Sequence, residues 1–93
     1  MMDEIKISIP SNFAVEEAAE LREKLMELIN KGNNSFILNF SKCTFIDSTG
    51  LGVLVSIFKK VMETNGNFKI ENVGENVMKV FKLTRLDKVF HII

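Results

Sequence analysis

Two apolar periods alternate along this chain, and that alternation restricts the folds open to it. In Glu4-Ile5-Lys6-Ile7-Ser8-Ile9 every second residue is apolar. Period two predicts a strand with one buried face, and Pro10 ends it. From Ala14 to Lys31 the apolar positions Ala14, Ala18, Leu21, Leu25 and Leu28 recur at spacings of four, three, four and three, with Ile29 beside the last. That spacing predicts an amphipathic helix. Ser11 and Asn12 offer side-chain oxygens to cap it, Glu16, Glu17 and Glu20 suit the positive end of its dipole, and Gly32 stands where a left-handed C-terminal cap belongs.

The alternation continues. Ser35-Phe36-Ile37-Leu38-Asn39-Phe40 is a short, nearly continuous apolar run, as in a strand buried on both faces, and Cys43 to Ile46 extends it. Leu51 to Thr64 is helical in pattern, with Leu51, Leu54, Phe58, Val61 and Met62 on one side. Val53, Val55 and Ile57 widen the apolar stripe until it needs burial on more than one side, or a partner. Asn67-Phe68-Lys69-Ile70 predicts a strand, Glu75 to Leu83 a third helix carrying Val77, Val80 and Phe81, and Lys88 to Ile93 a last short strand. Strand, helix, strand, helix, strand, helix, strand implies an α/β sandwich whose parallel connections are right-handed.

At 93 residues the chain has room for one domain, residues 1–93, around one core. Twelve Lys and Arg balance twelve Asp and Glu, so a uniformly basic surface for nucleic acid is excluded as the default. A single cysteine excludes an internal disulfide and fits a reducing compartment. No segment approaches a membrane span and no leader pattern opens the chain, so the expectation is a small cytoplasmic domain with no membrane partner. The charge is unevenly spread, however. Residues 1–30 carry seven acids and three bases, whereas residues 31–93 carry five acids and nine bases. Either two solvated surfaces differ in sign, or a polar surface orients a protein partner.

One stretch exceeds what a plain α/β domain needs. Phe45-Ile46-Asp47-Ser48-Thr49-Gly50-Leu51-Gly52-Val53-Leu54 places a carboxylate, two hydroxyls and a glycine where a buried strand enters a buried helix. One reading is capping: Asp47 or Ser48 accepts from free backbone amides while Gly50 eases a tight entry. The other uses the same geometry. A phosphate on a hydroxyl there faces unpaired amides and the positive end of the dipole, and it brings nearly two negative charges beside an apolar helix.

Asp47-Ser48-Thr49-Gly50-Leu51-Gly52-Val53, following a buried strand, resembles the signature of anti-sigma-factor antagonists, the single-domain STAS proteins of bacteria. Leu83-Thr84-Arg85-Leu86-Asp87-Lys88-Val89-Phe90 resembles the family's segment after its last main helix, and Ala19 to Ile29 its first long helix. The resemblance implies a STAS-like sandwich, with a mixed sheet of about four strands and helices packed mainly on one face. It implies a switch by partner exchange, not an enzyme. Such a protein binds an anti-sigma factor that is also a serine kinase and so frees a sigma factor. The kinase then phosphorylates the serine matching Ser48, and a serine phosphatase restores the active form. Asp47, Thr49 and Gly50 shape the acceptor site, and the helix from Leu51 and Gly52 onward supplies part of the docking surface. The sequence departs from the family in two places. Only Met1 to Asp3 precede the first clear strand, where the family usually has one more, and Ala14 stands where it often has an acid. The same fold also serves as a scaffold or sensor subunit of other signalling or lipid-transport complexes.

Other chemistries find little footing. A hydrolase needs Ser48 or Cys43 activated by His91, the only histidine, and Ser48 does not sit in a Gly-x-Ser-x-Gly elbow. One carboxylate motif cannot supply an aspartic-protease pair. No phosphate-binding loop appears, and Gly50-Leu51-Gly52 falls short of a dinucleotide fingerprint. One His and one Cys give no metal-ligand spacing, and no cofactor is expected. The eight Phe residues fall on apolar stripes and read as core.

Overall fold

The structure, a computed structural model, describes residues 4–93; Met1 to Asp3, ahead of the first strand, lie outside the described residues. Its elements are β1 (Ile5–Ser8), β2 (Asn12–Phe13), α1 (Val15–Asn30), β3 (Ser35–Asn39), β4 (Phe45–Ile46), α2 (Ser48–Glu63), β5 (Asn67–Glu71), α3 (Glu75–Leu83), a 3-10 turn (Leu86–Lys88) and β6 (His91–Ile92). The main sheet has four strands in the order β1-β3-β5-β6, and β2 pairs separately with β4. Every described pairing is parallel. The expected four-stranded sheet is therefore present, but parallel where a mixed one was expected. The reason lies in the connections. Neighbours β1 and β3, β3 and β5, and β5 and β6 are each joined through a helix, the crossover that parallel neighbours require.

The helices lie on one face. Rows Ile7, Leu38, Ile70 and Phe36, Phe68 point towards them, against Leu21, Leu25 and Ile29 of α1, Leu54, Ile57 and Val61 of α2, and Val77 and Phe81 of α3. Phe58, Phe68, Phe81 and Phe90 form an edge-to-face chain whose ring centroids are 5.6–5.7 Å apart, in the range where the aromatic quadrupoles attract. Not every Phe is core, contrary to the sequence reading: Phe45 is 52% exposed. A two-residue strand in a separate sheet has one side chain in and one out, and Ile46 is the one inside.

The opposite sheet face carries no helix, which is unusual for parallel strands. Ile37 nevertheless keeps only 7% of its surface exposed. Lys6 and Lys69 flank it in register. Lys6 Nζ reaches Glu71 at 2.9 Å and Lys69 Nζ reaches Glu4 at 3.2 Å, so both alkyl stems are held across the strand between them. The Lys6 ammonium, helped by the Asn39 amide, holds the Glu71 carboxyl below its ordinary pKa. This layer of charge buries Ile37 without a second layer of secondary structure.

Helix ends follow local chemistry. At the C-terminus of α1, Gly32 has φ of +99°, its amide donates to the Ile29 carbonyl, and the Asn33 amide donates to that of Leu28. This is the Schellman arrangement that the glycine predicts. The start of α1 differs from expectation. Ser11 and Asn12 do not cap it, because Asn12 and Phe13 pair with Phe45 and Ile46 as β2 and β4, which moves the helix start beyond Ala14. The second helix begins at Ser48 rather than Leu51, with Ile57 buried and Met62 39% exposed.

Candidate functional site

The pairing of β2 with β4 decides the geometry of the conspicuous stretch. The two short strands run parallel, Asn12 beside Phe45 and Phe13 beside Ile46, and each enters a helix within two residues. The helices α1 and α2 therefore start side by side at the C-terminal end of the sheet. Ala14 and Asp47 are the two N-caps.

At α2 the cap is a carboxylate. Asp47 is extended (φ −105°, ψ −177°), and its Oδ1 accepts a hydrogen bond from the Gly50 amide at 2.8 Å. Asp47 also carries the first backbone bond of the helix, its carbonyl accepting from the Leu51 amide at 3.0 Å. Of the two residues the sequence offered as the cap, Asp47 is the one used. Ser48 becomes the first helical residue, exposed, and among the described residues its hydroxyl makes no hydrogen bond within the protein. Thr49 beside it is exposed as well. A hydroxyl that caps nothing, next to a half-buried carboxylate at the positive end of a helix, is free to accept a covalent anion.

Gly50 is buried, and its role is close packing rather than an unusual turn. A Cβ there would lie 2.6 Å from the Phe13 carbonyl oxygen, 2.8 Å from the Phe13 ring and 3.0 Å from Ile46 Cγ1. Its φ is not positive; among the described glycines only Gly32 has that conformation. The missing side chain lets α2 press against β2, and the Asp47 amide lies 3.4 Å from the same Phe13 oxygen. Gly52 is the reverse case: it is exposed, with nothing within 4 Å of a Cβ built there. One helical turn beyond Ser48 and on the same side, it leaves bare backbone facing outwards. Leu51 is half-buried.

The structure adds two apolar neighbours that sequence reasoning passed over. Phe45 is 52% exposed and Val15 is 60% exposed; Phe45 stands two residues ahead of the Asp47 cap and Val15 directly follows the Ala14 cap, at the two adjacent helix starts. Alternation with Ile46 was the available signal for Phe45, but a strand of two residues is too short for periodicity to register. His91 lies elsewhere, on β6 in register with Lys69 on the helix-free face of the sheet. Cys43 is buried, its thiol bonded to the Phe45 carbonyl at 3.4 Å, and burial pushes its pKa up, which disfavours the reactive thiolate. Among the described residues no group of three or more His, Cys, Asp or Glu side chains could hold a metal ion, and no helix is long and apolar enough to cross a membrane.

Comparison with known proteins matches this arrangement. A model of the STAS domain family matches residues 3–93. The anti-sigma-B factor antagonist of Bacillus subtilis is 36% identical over 90 residues, spanning 97% of this chain and 82% of the relative. The crystal structure of the Thermotoga maritima protein TM1081 superposes with a TM-score of 0.87 at 29% identity, covering 99% of this chain and 81% of that one. The phosphorylated form of the Bacillus cell fate determinant SpoIIAA gives a TM-score of 0.80, covering 100% of this chain and 85% of that one. At 20% identity, that last likeness speaks for the fold.

Proposed function

The chain belongs to the STAS domain family, and from that premise we propose that it is an anti-sigma-factor antagonist switched by phosphorylation of Ser48. It acts by binding rather than by catalysis. Its partners are an anti-sigma factor with serine kinase activity and a serine phosphatase, within the cytoplasm. One observation carries the reading: Asp47 takes the capping bond from Gly50, so the Ser48 hydroxyl is spare. A serine needed as the cap would unfold the first turn on modification, whereas a spare one can change charge while the fold stays.

The surface around it supports docking. Ser48 and Gly52 share one exposed side of α2, Thr49 lies beside them, and Phe45 and Val15 add apolar area at the same end. Bare backbone at Gly52 lets a partner approach closely. Phosphate on Ser48 is held by the helix amides and adds its charge to that of Asp47. It thereby sets two like charges in the middle of the contact, which repels a partner without disturbing the core.

The test is phosphosite mass spectrometry on the protein recovered from its native lysate with and without Mg-ATP, followed by binding measurements with the co-purified kinase. Phosphate is expected on Ser48, with release of the kinase when ATP is added. Ser48→Asp should weaken binding by about 1–3 kcal/mol, and Ser48→Ala should bind and resist release. No phosphate, with a partner set indifferent to ATP, would make this a constitutive scaffold. Equal binding of both variants and the wild type would remove the switch.

A further inference from the structure

The uneven charge of the sequence takes on a definite geometry in the fold, away from Ser48. Four bases, Lys79, Lys82, Arg85 and Lys88, fall within the end of α3 and the turn after it. Lys6, Lys31, Lys60 and Lys69 are held in ion pairs, but among the described residues these four are not. Between them stands Leu83, 85% exposed, the most exposed of the large hydrophobics described. Lys79, Lys82 and Leu83 share one side of the last turns of α3.

The complement is on the same molecule. Glu16, Glu20, Glu23 and Glu27 are all exposed and recur at i, i+4, i+7 and i+11 of α1, one row along its outer side. Glu27 is paired with Lys31 at 3.3 Å, and Lys24 stands beside Glu20, Glu23 and Glu27. Among the described residues, Glu16, Glu20 and Glu23 are therefore the acids of the row without an ion pair. Beside that row runs a shallow groove in which Ala19 and Met26 are flanked by Glu23 and Glu27. Arg22 and Lys31 also line this groove and balance its acids, so the attraction comes from Glu16, Glu20 and Glu23 of the adjoining row rather than from the groove itself. The parallel topology keeps the two surfaces apart within one molecule. Helix α3 starts at the C-terminal end of the sheet and returns towards the other end, where its basic turns lie. The outer side of α1 faces away from the sheet.

We propose that a second copy of this chain is the occupant: Leu83 of one copy, flanked by Lys79 and Lys82, seats in the α1 groove of the next. The contact uses different patches on the two copies, so it is head-to-tail and either closes into a ring or extends. Its components are exposed charges and one leucine, so it is weak, salt-sensitive and dependent on concentration. Ser48 and Gly52 lie outside both patches, so the proposal stands or falls apart from the phosphorylation reading.

The experiment is sedimentation velocity of the full chain over a concentration series in 0.1 M and 1 M salt, across which the Debye length falls from about 10 Å to about 3 Å. The wild type should associate at low salt and dissociate at high salt. K79E/K82E should weaken association by about tenfold or more, and so should E20K/E23K, because each variant sets like charges against each other. Mixing the two variants should restore association, since each then presents the complement of the other. Leu83→Ser, at a position whose exposure spares the fold, should weaken it with the charges intact. A wild type that stays monomeric throughout at low salt overturns the proposal. So does association indifferent to these variants, or a monomer that instead co-sediments with anionic phospholipid vesicles.

Discussion

Two strand-to-helix junctions stand side by side in this protein, built on the same scaffold and finished with different chemistry. Both leave a two-residue strand, both strands pair in parallel, and both helices run sixteen residues. At the α2 junction, Asp47 supplies a side-chain cap and Ser48 is left over. At the α1 junction, Ala14 has no side-chain oxygen to offer. Among the described residues the only side-chain help comes from Glu17, whose Oε1 accepts from the Ala14 amide at 3.3 Å, half of a capping box. A fold needs its helix starts satisfied, and α1 shows how little it can manage with. The carboxylate, hydroxyl and glycine of α2 exceed that requirement, and the excess is what makes the second junction a candidate switch.

The largest expected effect separates the two glycines of the α2 junction. Gly50→Ala forces a methyl group into the Phe13 carbonyl and ring. It should destabilise the domain by about 2–3 kcal/mol even after the better helix propensity of alanine is counted. For a domain this size each kcal/mol moves Tm by roughly 4–8 °C, so thermal unfolding would read the change easily. Gly52→Ala meets open space and should raise stability by somewhat under about 1 kcal/mol. Equal effects at the two positions would mean that α2 does not press on β2 as described. Binding to the proposed kinase partner sharpens the contrast, because on that reading Gly52→Ala should lose affinity while gaining stability.

Next in size is the cap itself. Asp47→Ala removes the bond to Gly50 and should cost about 1 kcal/mol in denaturant unfolding. The same substitution at a residue that served only the acceptor chemistry would leave stability untouched. Ser48→Ala is the matching control, with an expected change within about 0.5 kcal/mol, since its hydroxyl holds nothing. If Ser48→Ala proved the costlier of the pair, the serine would be structural and the spare-hydroxyl reading would fail.

Much of this was legible in the sequence, and what was not has physical causes. The long helices and the central strands followed from period alone, because one face of each is buried. Gly32 announced its Schellman turn through the conformation it alone adopts freely. The DSTG stretch was visible as an excess over folding needs, but its partition was not. Asp47 and Ser48 are both good caps, and only the backbone direction set by β2 and β4 selects between them. Asn12–Phe13 escaped notice because two residues cannot show a period, and Phe45–Ile46, read within Cys43 to Ile46 as an extension of β3, instead pairs with it in a separate sheet. The alternation of strands and helices implied parallel connections, but the family resemblance implied a mixed sheet, and the all-parallel order emerged only from the structure. Its helix-free face is buried at Ile37. That burial comes from lysine stems held by distant glutamates, a contact between strands that no local pattern encodes.

The one expected gain at the α1 junction isolates the two junctions from each other. Ala14 is extended, with φ of −123°, a backbone already suited to a cap, and Glu17 occupies the third helical position. Ala14→Ser would therefore complete the capping box without rearrangement and should add roughly 0.5–1 kcal/mol, measured as a rise in denaturation midpoint with an unchanged slope. The hydroxyl would point back onto the first turn of α1, satisfying an amide there, and would carry no charge towards Ser48. Phosphorylation of Ser48 and kinase binding should stay at wild-type levels. A gain in stability with an unaltered switch would show that adjacency alone does not couple the helix starts. Stability gained at the expense of kinase binding would instead place the α1 junction within the docking surface, with Ala14 kept small for the partner.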